Sequence, residues 1–207
     1  MDSSLTRVTA PATLPVTLAE LKSHLRVNFT DEDTLLEAYL DAAIAYHDGA
    51  NGELQRCIIP QTWDYRITDW PSDAMVKIPL PPTLEITGVY YLDDDGVSPA
   101  EQTVDPTLYR LIPGEHAVLW FKDDFTYPAT LTEPQNVRIR FRGGWEGDSS
   151  VSPVVTDASQ VPETIKQSIK LLAGHWFEQR TPIVVGASVA EVPFAVQRLI
   201  NLMKVYR

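Results

Sequence analysis

The sequence is poor in cysteine and in long apolar runs, and each shortage excludes a class of protein. The one cysteine, Cys57, cannot form an internal disulfide, and its apolar neighbours in "LQRCIIPQTW" favour packing over a nucleophilic role. No segment reaches the roughly 20 apolar residues that span a bilayer. The first 15 residues lack the basic start and apolar run of a secretory signal. We therefore expect a soluble protein that is not exported and has no membrane partner.

Basic residues are outnumbered, and their distribution is uneven. The chain has 17 Lys and Arg against 28 Asp and Glu, which gives a formal net charge of -11 at pH 7. Because phosphate binding depends on clustered Lys and Arg, this balance opposes a protein that coats nucleic acid. Residues 27–55 contain seven acids and no base, whereas residues 161–207 contain six bases and three acids. Two interpretations stay open, namely contact between neighbouring copies and a merely solvated helix face.

Motifs for catalysis and metal binding are also scarce. The sequence has no HExxH, no GxSxG, no phosphate-cradling glycine loop and no CxxC pair. His175 and Glu178, three apart on a predicted helix, are the candidates for a small metal-dependent hydrolase, but catalytic zinc needs about three protein ligands. The alternative is a boundary histidine bonded to Glu178 or to a backbone carbonyl. We predict no enzymatic activity, no metal and no cofactor, a hairpin turn at "DDDG" (93–96), and a core or interface role for His47.

Four segments have the period of an amphipathic helix. In "VTLAELKSHLRV", Thr17 and Glu20 form a capping box ahead of an apolar stripe. A second helix in "TDEDTLLEAYLDAAIAYHDGANG" is predicted to be capped by Thr30, and a third to begin at Pro162. The fourth is predicted to start at Pro193 and to run to the chain end. The predicted core positions of the second and third helices are Leu36, Leu40, Ala43, His47, Ile165, Ile169, Leu172 and Trp176.

From residue 61 the period changes to two. Short runs separated by Pro, Gly and Asp clusters predict an antiparallel β module. The runs are "TWDYRITDW", "VKIPL", "EITGVYYLD", "LYRLI", "AVLWF" and "VRIRFRGG". We predict an α+β fold in which residues 1–60 and 150–207 form an antiparallel helical bundle from both chain ends. Residues 61–149 form the inserted β module.

Two features of the β module allow a binding role. Arg138, Arg140 and Arg142 alternate with apolar residues, so one strand face carries three guanidinium groups. These groups contact either phosphate or carboxylates of a neighbouring strand or subunit, and the acidity of the chain favours carboxylates. Exposed aromatics would instead indicate a carbohydrate- or protein-binding module, although strand aromatics more often pack in a core. The aromatics concerned are Trp70, Tyr90 and Tyr91.

The order of these motifs resembles that of one known family. The segments "LAELKSHLRV", "DEDTLLEAYLDAAIAY", "CIIPQTWDY", "FRGGW", "VPETIKQSIKLLAGHWFEQR" and "VPFAVQRLINLMKVYR" follow one another as in the head-tail connectors of tailed bacteriophages and gene transfer agents, also called adaptor or head-completion proteins. The resemblance covers both helical ends and the "QTW" and "GGW" borders of the insert. Strands within residues 65–135 carry little of it, and there we expect a departure from shorter connectors that are nearly all helical.

The resemblance implies a structural, non-enzymatic subunit. Connectors form a ring on the portal protein, usually with twelvefold symmetry, and extend the DNA channel toward a tail-side stopper or tail terminator protein. An acidic lining agrees with a channel through which DNA slides without sequence-specific binding. The implied location is the head-tail interface of a virion or gene transfer agent particle, with the host cytoplasm as the place of assembly.

The resemblance also implies roles for particular residues. Those expected at contacts between subunits are Glu37, Asp41, His175, Glu178 and Arg180. Those expected to dock on the portal are Leu202, Met203, Lys204, Val205, Tyr206 and Arg207. Among the latter, Tyr206 would be an aromatic anchor and Arg207 a polar clamp. The alternative is that this terminal segment closes the subunit's own helical bundle.

Overall fold

The fold combines four helices with antiparallel sheets, so the predicted α+β class is confirmed. The computed structural model describes residues 3–93, 100–130, 134–146, 158–179 and 193–206. The helices are α1 (Leu18–Leu25), α2 (Asp33–His47), α3 (Glu163–Glu178) and α4 (Phe194–Met203). The strands are β1 (Ser3–Thr9), β2 (Gln61–Ile67), β3 (Met75–Lys77), β4 (Thr83–Leu92), β5 (Glu101–Thr103), β6 (Tyr109–Ile112), β7 (Val118–Phe121) and β8 (Val137–Gly143).

The chain divides into two compact units. The β unit comprises Met1–Ala12 and Pro60–Gly144, and the helical unit comprises Thr13–Ile59 and Trp145–Arg207. Each unit is therefore assembled from two separate stretches of chain.

The β unit contains a five-stranded sheet in the order β1-β2-β8-β4-β5 and a three-stranded sheet in the order β3-β7-β6. The central strand of the larger sheet, β8, pairs antiparallel with both β2 and β4. Its alternating residues Val137, Ile139 and Phe141 are fully buried, as expected for a strand with one face on a core. The arginines between them occupy the opposite face.

The first strand differs from the sequence-based expectation. Residues 1–60 were assigned to the helical bundle with no strand among them, but Ser3–Thr9 forms β1 and pairs antiparallel with β2. Most of its side chains are exposed, because β1 lies at the sheet edge. Its polar composition hides the apolar alternation by which a strand is recognised. The short edge strand β5 escaped prediction for the same reason, since all three of its side chains are exposed.

The helical unit has one apolar core, and α3 supplies its middle. This helix packs against α1, α2 and α4. All the predicted core positions of α2 are buried, and on α3 only Trp176 is partly exposed. The hydrophobic periodicity of these two helices therefore identified the inward faces correctly.

The helix starts agree only in part with the predicted caps. At α1, the Thr17 hydroxyl accepts from the Glu20 N–H at 3.2 Å, and the Glu20 carboxylate accepts from the Thr17 N–H at 2.7 Å. This capping box was predicted. Thr30, in contrast, does not cap α2, because the helix begins later, at Asp33, and the Thr30 carbonyl accepts from the Asp33 N–H in a preceding turn.

Candidate interaction surfaces

The outward side of α2 is acidic. Glu37 and Asp41 are exposed, and so are Ala38, Ala42 and Ala45 beside them. Spacings of three and four residues place all five on one side of a helix. We call these five residues the acidic face. Among the described residues, no base pairs with Glu37 or Asp41.

Other acids that border α2 have partners within the helical unit. The Lys22 ammonium lies 2.5 Å from the Asp33 carboxylate. The Lys204 ammonium lies 2.8 Å from the Glu53 carboxylate, and this hydrogen bond raises the pKa of Lys204 above its ordinary value. The acidic face thus differs from its surroundings in having no counter-charge among the described residues.

His47 connects α2 to α3 rather than forming a surface site. It is fully buried; its Nδ1 lies 2.7 Å from the Ala43 carbonyl and its Nε2 2.8 Å from the Ser168 hydroxyl. Burial lowers the pKa of His47 below its usual value, so the ring is neutral near pH 7. A neutral ring that donates a hydrogen bond through Nδ1–H to the Ala43 carbonyl accepts one at Nε2 from the Ser168 hydroxyl.

The end of α3 carries the predicted His175 and Glu178. His175 is half-buried, Glu178 is exposed, and the backbone N–H of Gln179 donates to the His175 carbonyl at 2.9 Å. Trp176 and Phe177 pack against the core of the helical unit. Among the described residues there is no group of three or more His, Cys, Asp and Glu that could hold a metal ion. Arg180 lies outside the described residues.

The three arginines of β8 face carboxylates on the neighbouring strands. The Arg140 guanidinium makes two hydrogen bonds to Asp64, of 2.7 and 2.9 Å, and Arg142 makes one to Glu85 at 2.7 Å. Arg138, whose side chain is only 7% exposed, pairs with both Asp64 and Glu101. These contacts lie within the β unit and favour the carboxylate alternative over a phosphate-binding stripe.

Asp64 is the centre of this arrangement. Its burial raises the pKa of the carboxyl, but hydrogen bonds and charge from Arg140 and Arg138 more than offset this, so the pKa of Asp64 lies below its usual value. The carboxylate is therefore ionised across the physiological range, and it neutralises part of the charge of two guanidinium groups. Sequence inspection missed Asp64 because nothing in "TWDYRI" distinguishes a buried acid from an exposed one.

The aromatics of the β unit pack against other side chains. Trp70 has ring neighbours 5.5 to 5.7 Å away, and its indole N–H donates to the Pro128 carbonyl at 3.0 Å. These neighbours are Tyr91, Phe121, Phe125 and Tyr127. The Arg138 guanidinium lies 3.9 Å from the centre of the Tyr90 ring. All three aromatics considered for ligand binding therefore take part in packing.

The C-terminal segment departs from the predicted helix. α4 ends at Met203, and Lys204, which follows it, has an extended backbone. The Val205 N–H donates to the Leu54 carbonyl at 3.0 Å, and the Arg56 guanidinium donates to the Met203 carbonyl. These bonds to the 53–56 loop replace helical ones.

Two of the proposed docking residues point outward, whereas others are tied down. Leu202 and Tyr206 are 74% and 71% exposed, whereas Val205 is buried. Met203 packs against the core, and Lys204 is paired with Glu53. Arg207 lies outside the described residues.

Sequence inspection missed one exposed residue. Phe194, in the first turn of α4, is 77% exposed, which is the highest value among the large hydrophobic residues that the structure describes. A helical wheel centred on the buried Val196 and Ile200 would have placed Phe194 on the outward side.

No helix within the described ranges is both long enough and apolar enough to cross a bilayer. A search of curated proteins finds no match.

Three solved structures are similar to nearly the whole chain. A chain in the neck of an empty gene transfer agent particle, computed with C6 symmetry, is 26% identical with a TM-score of 0.74, over 99% of this chain and 96% of that one. A chain in the virion of a native gene transfer agent particle is 26% identical, with a TM-score of 0.73, over 98% and 96%. A chain in the neck of the native particle, computed with C12 symmetry, is 25% identical, with a TM-score of 0.70, over 99% and 96%.

A family model matches residues 15–62 and 135–204, which is more than half of the chain. The matched ranges include all four helices, the strand β8 and the first two residues of β2, whereas the model leaves out most of the β unit. From the sequence, little resemblance to the family was expected in the strands within residues 65–135. The chain belongs to the family of phage gp6-like head-tail connector proteins.

Proposed function

We propose that the protein is a structural subunit of the particle neck that forms a ring on the portal and extends the DNA channel toward the tail. The observation that carries this proposal is its similarity to a gene transfer agent neck chain, with a TM-score of 0.74 over 99% of its length. That similarity includes the strands that the family model leaves out. The role is mechanical, and it requires no enzymatic activity and no cofactor.

Ring assembly is supported by the symmetry of the relatives. Necks that contain the similar chains were computed with C6 and C12 symmetry. A cyclic ring needs two different surfaces on each subunit, one for each neighbour. The partners in the proposed assembly are further copies, with a dodecamer as the expected ring, the portal protein on the head side, and a stopper or tail terminator protein on the tail side.

The charge of the chain suits a conduit for DNA. A net charge of -11 repels phosphate, and the β8 arginines are already engaged by carboxylates. A surface without free clustered bases does not retain DNA, because binding affinity depends on the number of phosphates that bases neutralise. In this proposal DNA passes through the ring without sequence-specific binding.

Two groups of residues would make the protein contacts of the ring. Glu37, Asp41, His175, Glu178 and Arg180 are assigned to contacts between neighbouring subunits. The C-terminal segment, residues 202–207, is assigned to the portal. Within it, Leu202 and Tyr206 are the docking side chains, since both are more than two-thirds exposed. The anchoring of Val205 and Lys204 on the 53–56 loop would hold them in place.

The two units would have different roles in the ring. The helical unit carries both groups of contact residues and contains most of the residues that the family model matches, so we assign it the connector core. Its helices, drawn from both sides of the β unit in sequence, would form the bundle at the ring interfaces. The β unit would extend the ring.

Electron microscopy of particles made with and without this gene tests the proposal. We expect ring-shaped density at the portal vertex that is absent without the gene, and DNA-filled heads that carry no tails. Normal neck density in the absence of the gene would overturn the proposal, as would the chain's location on the capsid shell or the tail tip. A tagged chain made in the same cells, seen as extra density around the neck, is the positive control.

A further inference from the structure

Besides the acidic face, the helical unit has a second outward face that no other described residue covers. On α4, Phe194, Ala195, Arg198 and Asn201 share the outward side, and we call them the α4 outer face. Phe194 is 77% exposed, and the Arg198 guanidinium lies 5.8 Å from the centre of its ring. Among the described residues, no carboxylate pairs with Arg198. Aromatic residues and arginine are enriched among the residues that anchor protein interfaces, and this face exposes one of each side by side.

The two faces have opposite charge. Residues 27–55, which include α2, contain acids and no Lys or Arg, whereas residues 193–207, which include α4, contain bases and no acid. Charges of opposite sign across an interface steer encounter and fix its register. Contact between two acidic faces, or between two α4 outer faces, would instead place like charges together. The charge pattern therefore disfavours a symmetric pairing of either face with itself.

The two faces also have matching shapes. The acidic face is lined by Ala38, Ala42 and Ala45, whose small side chains let another helix approach closely. Phe194 and Arg198 project one turn apart from α4, which matches the one-turn spacing of the alanines and of Glu37 and Asp41. A large side chain over small ones permits dense packing, and the guanidinium reaches carboxylates beside them.

The two faces lie on two different helices of the helical unit. Both α2 and α4 pack against α3 within the helical unit. The acidic face and the α4 outer face are therefore two different surfaces of one unit. Contact between two different, complementary faces is head to tail, and it closes into a ring when the rotation permits.

We propose that the α4 outer face of one subunit docks on the acidic face of the next copy of this chain, with Phe194 packed over the alanines and Arg198 between Glu37 and Asp41. This inference rests on the proposed ring, and it names the two surfaces that would join neighbouring subunits. The portal then contacts the far end of α4, where Leu202 and Tyr206 lie.

Reversal of charge tests the contact. Asp41→Arg and Arg198→Asp, made separately, each place like charges across the proposed interface. Each is expected to reduce incorporation into particles about tenfold or more. The double variant restores an opposite pair with the same net charge, and it should recover most of the incorporation. Asp123→Arg and Lys77→Asp, on exposed residues of the β unit, are the matched controls and should incorporate normally.

Cross-linking gives a second, independent measurement. Cys57 is buried, so the background from a maleimide reagent is low. A chain that carries both Ala42→Cys and Ala195→Cys should give a ladder of covalent oligomers in particle necks when treated with a short bismaleimide. Each single variant should give no species beyond a cross-linked pair. Unchanged far-ultraviolet circular dichroism of the purified variants shows that they are folded.

The outcomes separate this contact from the proposed function. Lack of rescue in the double variant, together with no ladder from chains that are present in necks, would overturn the contact and leave the connector role standing. Cross-links from position 195 to the portal instead of to another copy would also overturn it. Absence of the unmodified chain from necks would overturn the proposed function and this contact together.

Discussion

The Nε2 atom of His47 lies 2.8 Å from the Ser168 hydroxyl, and both residues are buried between α2 and α3. The bond joins helices that are far apart in sequence. It also couples the stability of the helical unit to the protonation of one ring.

The first prediction is a loss of stability in mild acid. Since burial lowers the pKa of His47 in the folded state, the unfolded chain takes up a proton at a higher pH than the folded chain does. The free energy of unfolding should therefore fall as the pH drops below about 6.5, the ordinary histidine value. Urea midpoints measured between pH 7.5 and 5 check this. His47→Asn should be less stable and lose the dependence, whereas His116→Asn, at an exposed site, should keep it.

The second prediction concerns the acid at the centre of the β8 arginines. Asp64→Asn leaves Arg138, 7% exposed, without its nearest buried counter-charge, and should lower the free energy of unfolding by about 3 kcal/mol. Glu85→Gln removes a pair at a half-exposed site and should cost less than about 1 kcal/mol. Chemical unfolding followed by tryptophan fluorescence measures both. Equal effects of the two substitutions would contradict the assignment of Asp64 as the central group.

The ion pairs of Asp64 should also be lost in acid, at a lower pH than the effect of His47. The folded-state pKa of Asp64 lies below its usual value, so its contribution is present above that value and is lost as the pH falls through the folded pKa. The wild-type β unit should thus lose stability below about pH 4, the ordinary aspartate value, and Asp64→Asn should lose less. A parallel decline in the two proteins would argue against this.

The third prediction separates anchoring from docking in the C-terminal segment. Val205→Ala should lower the free energy of unfolding by about 1–2 kcal/mol, because its side chain is buried. Leu202→Ala and Tyr206→Ala should each change it by less than about 0.5 kcal/mol. The latter two should nevertheless reduce attachment to DNA-filled heads, measured by sedimentation of particles. Normal attachment of the combined Leu202→Ala and Tyr206→Ala variant would refute the docking role.

A truncation is a poorer test of the same idea. Deleting residues 203–207 removes the carbonyl that accepts from Arg56 and the backbone N–H that donates to Leu54. A purely docking tail would leave thermal unfolding unchanged. Here we expect a lower unfolding temperature, so that a failure to attach would have two causes.

The fourth prediction compares two threonines that the sequence presents as equivalent caps. Thr17→Ala breaks a capping box and should cost about 1 kcal/mol of stability. Thr30→Ala should cost much less, because the Thr30 side chain makes no cap at α2. Urea unfolding of the two variants decides. A larger loss at Thr30 would show that its side chain caps the helix in solution.

The sequence predicts elements best where a buried stripe is long. Leu36, Leu40 and Ala43 on α2, and Ile139 and Phe141 on β8, identify their inward faces by spacing alone. β1 could not be found in this way, because an edge strand with mainly exposed polar side chains has no apolar period to read.

For the candidate interaction surfaces, the sequence predicts the charge but not which charged residues have partners. Clustered acids on α2 are evident from the sequence, but Asp33 and Glu53 have partners and Glu37 does not, which depends on tertiary contacts. The end of α4 was mispredicted because the apolar residues of "NLMKVYR" continue the helical pattern. Its termination depends instead on a backbone partner, Leu54, that is remote in sequence.

The strand order β1-β2-β8-β4-β5 also governs when the protein can fold as it leaves the ribosome. β1 is synthesised first, but its neighbour β2 follows only after α1 and α2. β8, which pairs with both β2 and β4, is the last of the eight described strands to be made. The helical core likewise waits for α3 and α4. Neither unit can close on a nascent chain that lacks its later half, so the β unit waits for β8 and the helical unit waits for α3 and α4. Until then an unpaired strand and two half-covered helices are exposed to chaperones and to aggregation.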